Sequence, residues 1–72
     1  MYQYQILEKF KIGDIVVNMN KYTYNYGKVG VISEIKKIYS TLTVNYDGIN
    51  TIGVPPQDLL NISTSWVEDR IL

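Results

Sequence analysis

The sequence contains no cysteine, no histidine and no alanine. A chain without cysteine forms no disulfide and no thiolate metal site. A chain without histidine lacks the commonest metal ligand and the commonest general base at neutral pH. These absences exclude zinc chemistry and Cys-His or Ser-His catalysis within the chain. No pair of acidic residues has a reason in the sequence to converge, so we expect a protein that is not an enzyme and uses no metal or cofactor.

Long apolar segments are missing as well. No stretch approaches the ~20 residues that span a bilayer. The N-terminal segment MYQYQILEKF has neither the basic region nor the long apolar core of a signal peptide. We therefore expect a cytoplasmic protein with no membrane partner. Abundant Ile, Asn, Lys and Tyr together with no alanine is typical of an AT-rich genome, such as that of a phage or a low-GC bacterium.

The charges balance overall but are uneven along the chain. Residues 1–40 hold six lysines and three acidic residues, a net charge of +3, whereas residues 41–72 hold one arginine and four acidic residues, a net charge of −3. Domains that bind duplex nucleic acid are usually plainly basic, so the zero total counts against that class. A chain of 72 residues forms one domain, and such a domain buries only about 60% of its unfolded surface.

The first half of the chain predicts two strands, because β-branched and aromatic residues dominate it. KIGDIVVNM, residues 11–19, is the first strand and starts at a Gly13-Asp14 turn. GKVGVISEIKKIY, residues 27–39, is the second, with a bulge expected over 32–34. The spacing of its apolar residues predicts that the buried face of this strand consists of Val29, Val31 and Ile35.

The second half predicts a hairpin and a short closing strand. Asp47-Gly48 lies between two alternating runs, which is the strongest short-range hairpin signal. This turn would pair Tyr46 with Ile49 and Val44 with Thr51. Two prolines then end the fourth strand near Val54. Residues 57–60 suit a single 3-10 turn that Asp58 would cap, and residues 60–63 can close the sheet.

This order of elements predicts an all-β fold, a small five-stranded SH3-like barrel over residues 10–63. Residues 1–9 would be an N-terminal extension or edge strand, and residues 64–72 a short C-terminal tail. Ser65, with Glu68 three residues later, is a capping-box pattern that favours a short helix in this tail.

Two sets of motifs resemble known SH3-like families. Gly13-Asp14 before the first strand and Gly27-Lys28-Val29-Gly30-Val31 at the entry to the second are similar to KOW-type barrels, found in transcription elongation factors and ribosomal proteins. A further set resembles the small SH3-like protein of photosystem I: Tyr22-Thr23-Tyr24, Val29-Gly30, Val44-Asn45-Tyr46-Asp47 and Asp58-Leu59-Leu60. Together the resemblances cover residues 11–63, and they imply the fold more strongly than the function.

Residues 21–28, KYTYNYGK, place three tyrosines at alternate positions between two lysines. In a strand, Tyr22, Tyr24 and Tyr26 would share one face. One interpretation is that one or two of the rings cap an end of the barrel core. If the face is exposed, the rings suit contact with a protein, because tyrosine gives a large contact area with little rotamer entropy to lose. With the flanking lysines, exposed rings would also suit stacking on nucleic-acid bases.

A second basic cluster lies between the second and third strands, where Lys36 and Lys37 precede Tyr39. The simpler interpretation is a solvated turn, and the functional one is a loop edge that contacts phosphates. Together with Lys21 and Lys28, these residues are the predicted nucleic-acid contacts of a KOW-like RNA or DNA binder.

Trp66 is the one large residue outside the barrel pattern. It either docks the tail on the barrel as a lid or is an exposed anchor for a partner or a second copy, because Trp is favoured at binding hot spots. We expect a small binding module that docks on a larger protein or nucleoprotein assembly through the Tyr-rich loop and Trp66. The alternative is the KOW-like nucleic-acid binder, and a third hypothesis is a homo-oligomer joined through barrel edges or the tail.

Overall fold

Five antiparallel strands make up the computed structural model, which describes residues 7–63. They are β1 (Ile15–Asn18), β2 (Val29–Lys36), β3 (Thr41–Tyr46), β4 (Ile49–Val54) and β5 (Leu59–Asn61). The strands form one sheet in the order β4-β3-β2-β1-β5, so that β1 pairs with both β2 and β5. This arrangement confirms the predicted all-β fold, a small barrel-like structure of five antiparallel strands.

The 3-10 turn predicted after the two prolines forms, and residues 7–63 contain a second one that was not predicted. The additional turn, Lys37–Tyr39, connects β2 to β3 and ends at Ser40, whose φ of 55° is left-handed. The other turn, Pro56–Asp58, begins one residue before the predicted range. Proline suits this first position because its φ is already helical and its missing N–H is not needed there.

The hairpin between β3 and β4 forms as predicted. Asp47 and Gly48 both have positive φ, at 55° and 87°, as a type I′ turn requires. The Gly48 N–H donates to the side-chain oxygen of Asn45 at 2.8 Å, which adds support to the turn. Both predicted cross-strand pairs are present, Tyr46 with Ile49 and Val44 with Thr51.

The bulge in β2 is confirmed, but the predicted buried face of this strand is wrong at two positions. The pairing of β2 with β3 shifts between Ile32 and Glu34. Val29 and Val31 are exposed, at 56% and 43%, whereas Ile32 is buried. An extra residue at the bulge reverses the alternation of inward and outward side chains. Even-numbered residues therefore face the core before the bulge, and odd-numbered residues face it afterwards. Ile35 does pack against the core, as predicted.

Gly30 lies on the inward face of β2, where the core leaves no room for a side chain. This residue lies opposite the fully buried Val16 of β1. A Cβ at Gly30 would lie 2.6 Å from Cγ1 of Val44 and 2.8 Å from Cδ1 of Tyr46. The absence of a side chain at this position therefore lets β3 pack closely across β2.

The core lies between the inner faces of the curved sheet. Two of its members, Leu7 and Phe10, precede β1 in the sequence. The buried hydrophobic side chains are Leu7, Phe10, Val16, Ile32, Leu42, Val44, Tyr46, Val54 and Leu59.

We predict that Gly30→Ala destabilises the protein by about 1–3 kcal/mol, because the added methyl group overpacks the core against Val44 and Tyr46. The measurement is urea unfolding followed by circular dichroism. Val44→Ala removes the nearest clashing atom, so the double variant should lose less stability than the sum of the two single variants. Additive losses, or an unchanged stability for Gly30→Ala, would contradict this packing account.

Candidate binding surface

The tyrosine loop, residues 19–28, joins β1 to β2 and is built from successive turns. The segment is a loop, as expected, and not a strand in which the three rings would share one face. Three backbone N–H groups each donate to a carbonyl three residues earlier: Thr23 to Asn20 at 3.1 Å, Tyr26 to Thr23 at 3.2 Å, and Lys28 to Asn25 at 2.9 Å. The three tyrosines are consequently distributed over turns.

All three tyrosine rings of this loop are exposed. The exposed fractions are 87% for Tyr22, 91% for Tyr24 and 52% for Tyr26. None of the three belongs to the buried core, so the interpretation in which they cap the barrel does not apply. Large apolar rings gathered on one short loop form a surface suited to contact with another molecule.

The loop is held to the barrel through Asn18, which is buried at the end of β1. Its side-chain nitrogen donates to the hydroxyl of Tyr46 at 3.2 Å. Its side-chain oxygen accepts from the backbone N–H of Asn20 at 2.8 Å and from the hydroxyl of Thr23 at 3.4 Å. The Asn18 main chain also pairs with the far end of the loop, because its carbonyl accepts from Gly27 at 2.7 Å.

A second anchor connects the loop to the 3-10 turn before β5. The side-chain amide of Asn20 donates to the carboxylate of Asp58 at 2.9 Å, and the N–H of Met19 donates to the Asp58 carbonyl at 2.7 Å. The predicted capping of the 3-10 turn by Asp58 is wrong, since no side chain caps that turn. The Asp58 carboxylate holds the tyrosine loop instead.

The environment of Tyr46 reflects its place under this loop. Burial raises the pKa of its phenol, the hydrogen bond from Asn18 lowers it, and the negative charge of Asp58 raises it. The net effect is a pKa above the ordinary value for tyrosine, while the hydroxyl accepts its hydrogen bond from Asn18 at the end of β1.

Two lysines of the loop lie over tyrosine rings. The Lys28 ammonium is 4.5 Å from the ring centroid of Tyr24, and the Lys21 ammonium is 5.5 Å from that of Tyr22. Both distances are within the range of a cation–π contact, which is worth about 0.5–1 kcal/mol at an exposed site. The loop therefore presents paired aromatic and cationic groups to the solvent.

The second basic cluster lies at the other end of β2. Lys28 directly precedes this strand, whereas Lys36 ends it and Lys37 begins the following 3-10 turn. Lys36 forms an ion pair with Glu34 at 3.7 Å, and Tyr39 is 71% exposed. The two predicted groups of lysines therefore flank opposite ends of an eight-residue strand.

Three further expectations concern Trp66, metal binding and membrane spans. Trp66, the other predicted partner contact, lies outside residues 7–63. Within that range, no cluster of three or more metal-ligating side chains occurs. Also within that range, no helix is long and apolar enough to cross a bilayer.

Comparison with protein families, curated proteins and solved structures gives no match to this chain. The similarities to KOW-type barrels and to the photosystem I protein therefore depend on the sequence motifs and remain predictions.

Sequence reasoning missed Asn18 and Asn20, which hold the candidate surface in place. The available signal was a polar residue directly after the apolar run of β1, where an amide side chain can accept hydrogen bonds from the backbone of a following turn. The partner of Asn20, Asp58, is 38 residues away and carries no local signal.

We predict that Asn18→Ala lowers stability by about 1–3 kcal/mol, because it leaves buried polar groups unpaired. Loss of the Asn18 amide should also loosen the loop, so the backbone amide of Asn20 should exchange its hydrogen faster. Urea unfolding and amide hydrogen exchange measure these two effects. The control is Asn25→Ala, whose side chain makes no hydrogen bond within residues 7–63. Equal stability and exchange in both variants would refute the anchoring role.

Proposed function

We propose that this protein is a non-enzymatic binding module that docks on a larger protein or nucleoprotein assembly through the tyrosine loop. The observation that carries the proposal is the exposure of Tyr22, Tyr24 and Tyr26 on a loop fixed to the barrel. A cytoplasmic location and a second contact through Trp66 belong to the same proposal and depend on the sequence alone.

The construction of the loop supports recognition of a partner. Its backbone is ordered by hydrogen bonds before any partner arrives, so binding has to restrict only side chains. A tyrosine has two side-chain torsions, whereas its ring supplies a large contact area and a hydroxyl for hydrogen bonding. Aromatic residues, tyrosine among them, are enriched in protein interfaces.

The first experiment compares partner capture by the wild-type protein and by the triple variant Tyr22→Ser, Tyr24→Ser and Tyr26→Ser. Captured proteins from the source cell are identified by mass spectrometry and then purified for titration. We expect the triple variant to lose the interaction while its unfolding free energy changes by at most about 0.5 kcal/mol per site, because the rings are exposed.

The matched control for this experiment is Tyr39→Ser, since Tyr39 is exposed but lies after the other end of β2. The proposal requires that this control retains the partner. It fails if the triple variant retains the partner with wild-type affinity, or if the triple variant unfolds, because the rings would then have a structural role.

A second candidate function, binding of single-stranded RNA or DNA, is favoured by the lysines that lie over the rings. Lys21 and Lys28 each place a positive charge beside an exposed tyrosine. Bases stack on aromatic rings with about 1–3 kcal/mol per base, and neighbouring ammonium groups contact phosphates. The contact would extend to Lys36, Lys37 and Tyr39 only if the nucleic acid wraps around the barrel, because these residues lie at the far end of β2.

Fluorescence anisotropy of labelled single-stranded RNA, measured at two salt concentrations, tests this second function. Replacing Lys21 and Lys28 by Gln should reduce the salt dependence, by about 0.7 in the slope of log K against log salt for each lost phosphate contact. The control pair Lys9→Gln and Lys11→Gln removes the same charge and should leave the slope unchanged. No binding at low salt would exclude the nucleic-acid function and leave the protein partner.

A further inference from the structure

A cavity of about 620 Å³ lies beside the end of β2 that is remote from the tyrosine loop. One wall consists of Leu7, Phe10 and Ile12, which precede β1, and the other contains Ile35 near the end of β2. Sites for small organic molecules typically enclose about 300–1,000 Å³. The cavity is therefore large enough for such a ligand, and the proposed docking through the tyrosine loop does not use it.

The uncharged part of the lining is hydrophobic and continuous with the core. Leu7 and Phe10 belong to the core, and Ile35 packs against it. Ile12, by contrast, is 68% exposed. A ligand with an apolar body would remove this exposed side chain and its own apolar surface from water, which is favourable. The lining therefore selects a ligand whose larger part is apolar.

The charged part of the lining consists of exposed side chains, Lys11, Lys37 and Glu8. Two positive charges and one negative charge leave a net charge of +1 at the cavity. Within residues 7–63 the only ion pair joins Lys36 to Glu34, so neither lysine of the lining is paired with a carboxylate there. Complementary charge is what orients a ligand in such a site. One end of the ligand should therefore be negatively charged.

The wall that precedes β1 is held in place by hydrogen bonds to the barrel. The backbone N–H of Lys11 donates to the carboxylate of Asp14 at 2.9 Å. The side-chain amide of Asn61 in β5 donates to the same carboxylate at 2.8 Å and to the carbonyl of Lys9 at 2.9 Å. These bonds fix the backbone beside the cavity, so binding would cost little conformational entropy of the chain.

We propose that this cavity binds a small amphipathic carboxylate. Its apolar body would contact Phe10, Ile12 and Ile35, and its carboxylate would pair with Lys11 and Lys37. The charge of the lining favours this ligand over the adjoining segment of the chain, because residues 1–6, MYQYQI, contain no acidic side chain. The concave shape favours a small molecule over a protein surface, since small-molecule sites are enclosed and lined mainly by hydrophobic side chains.

Three probes of similar length and different charge test the proposal: octanoate, octanamide and octylammonium. Each is titrated into the full-length protein, and binding is followed by the NMR signals of the backbone amides. We expect octanoate to shift the signals of Ile12, Ile35 and Lys37 in a saturable manner. Octanoate should bind roughly tenfold more tightly than octanamide, as two exposed ion pairs would provide, and octylammonium should bind most weakly. High salt should reduce the preference for octanoate.

Variants of the lining separate the two parts of the proposed contact. Lys11→Gln and Lys37→Gln should each weaken octanoate binding by roughly threefold and leave octanamide binding unchanged. Ile12→Ser should weaken the binding of both probes, because it removes apolar contact area. The matched control is Lys9→Gln, which removes the same charge from an exposed side chain outside the lining.

Circular dichroism verifies that all variants are folded. The proposal is overturned if octanoate does not bind to the full-length protein, or if octanamide binds equally well, since the lysines would then have no role. It is also overturned if the shifted signals lie away from the cavity, or if Lys11→Gln and Lys9→Gln have the same effect on octanoate binding.

Discussion

The buried side chain of Asn18 is the contact that joins the barrel core to the tyrosine loop. It uses both ends of its amide, donating to the phenol of Tyr46 and accepting from the loop. An unpaired buried polar group costs about 1–3 kcal/mol, so loop conformations that break these bonds are disfavoured. The raised pKa of the Tyr46 phenol reflects the same arrangement, because burial of this side chain is its main cause.

This anchoring separates the residues that shape the loop from the residues that are free to make contacts. Asn18, Asn20 and Asp58 fix the backbone, whereas the three tyrosines and two lysines remain at the surface. The rings can therefore be exchanged without removing the bonds that hold the loop. A surface of this kind can change its specificity during evolution while the barrel stays intact, as is general for loops on a rigid scaffold.

Features that depend on near neighbours could be predicted from the sequence, and features that depend on distant pairing could not. Asp47-Gly48 and the two prolines act locally, and both the hairpin and the end of β4 follow from them. Which residues of β2 face the core depends instead on the close packing of β3 side chains against Gly30 and on the register shift at the bulge. The tyrosine loop is held in place by the hydrogen bond between Asn20 and Asp58, whose separation of 38 residues leaves no local signal in the sequence.

Both faces of β1 are apolar, although only one of them faces the small core. Val16 faces the core, while Ile15 and Val17 face outward, so this strand is apolar on both sides. Such a strand is typical of a sheet that is covered on both faces, whereas the polar outer side of β3 is typical of a solvated one. Within residues 7–63, nine hydrophobic residues are buried in the core, so a covered outer face would add burial that a domain of this size needs.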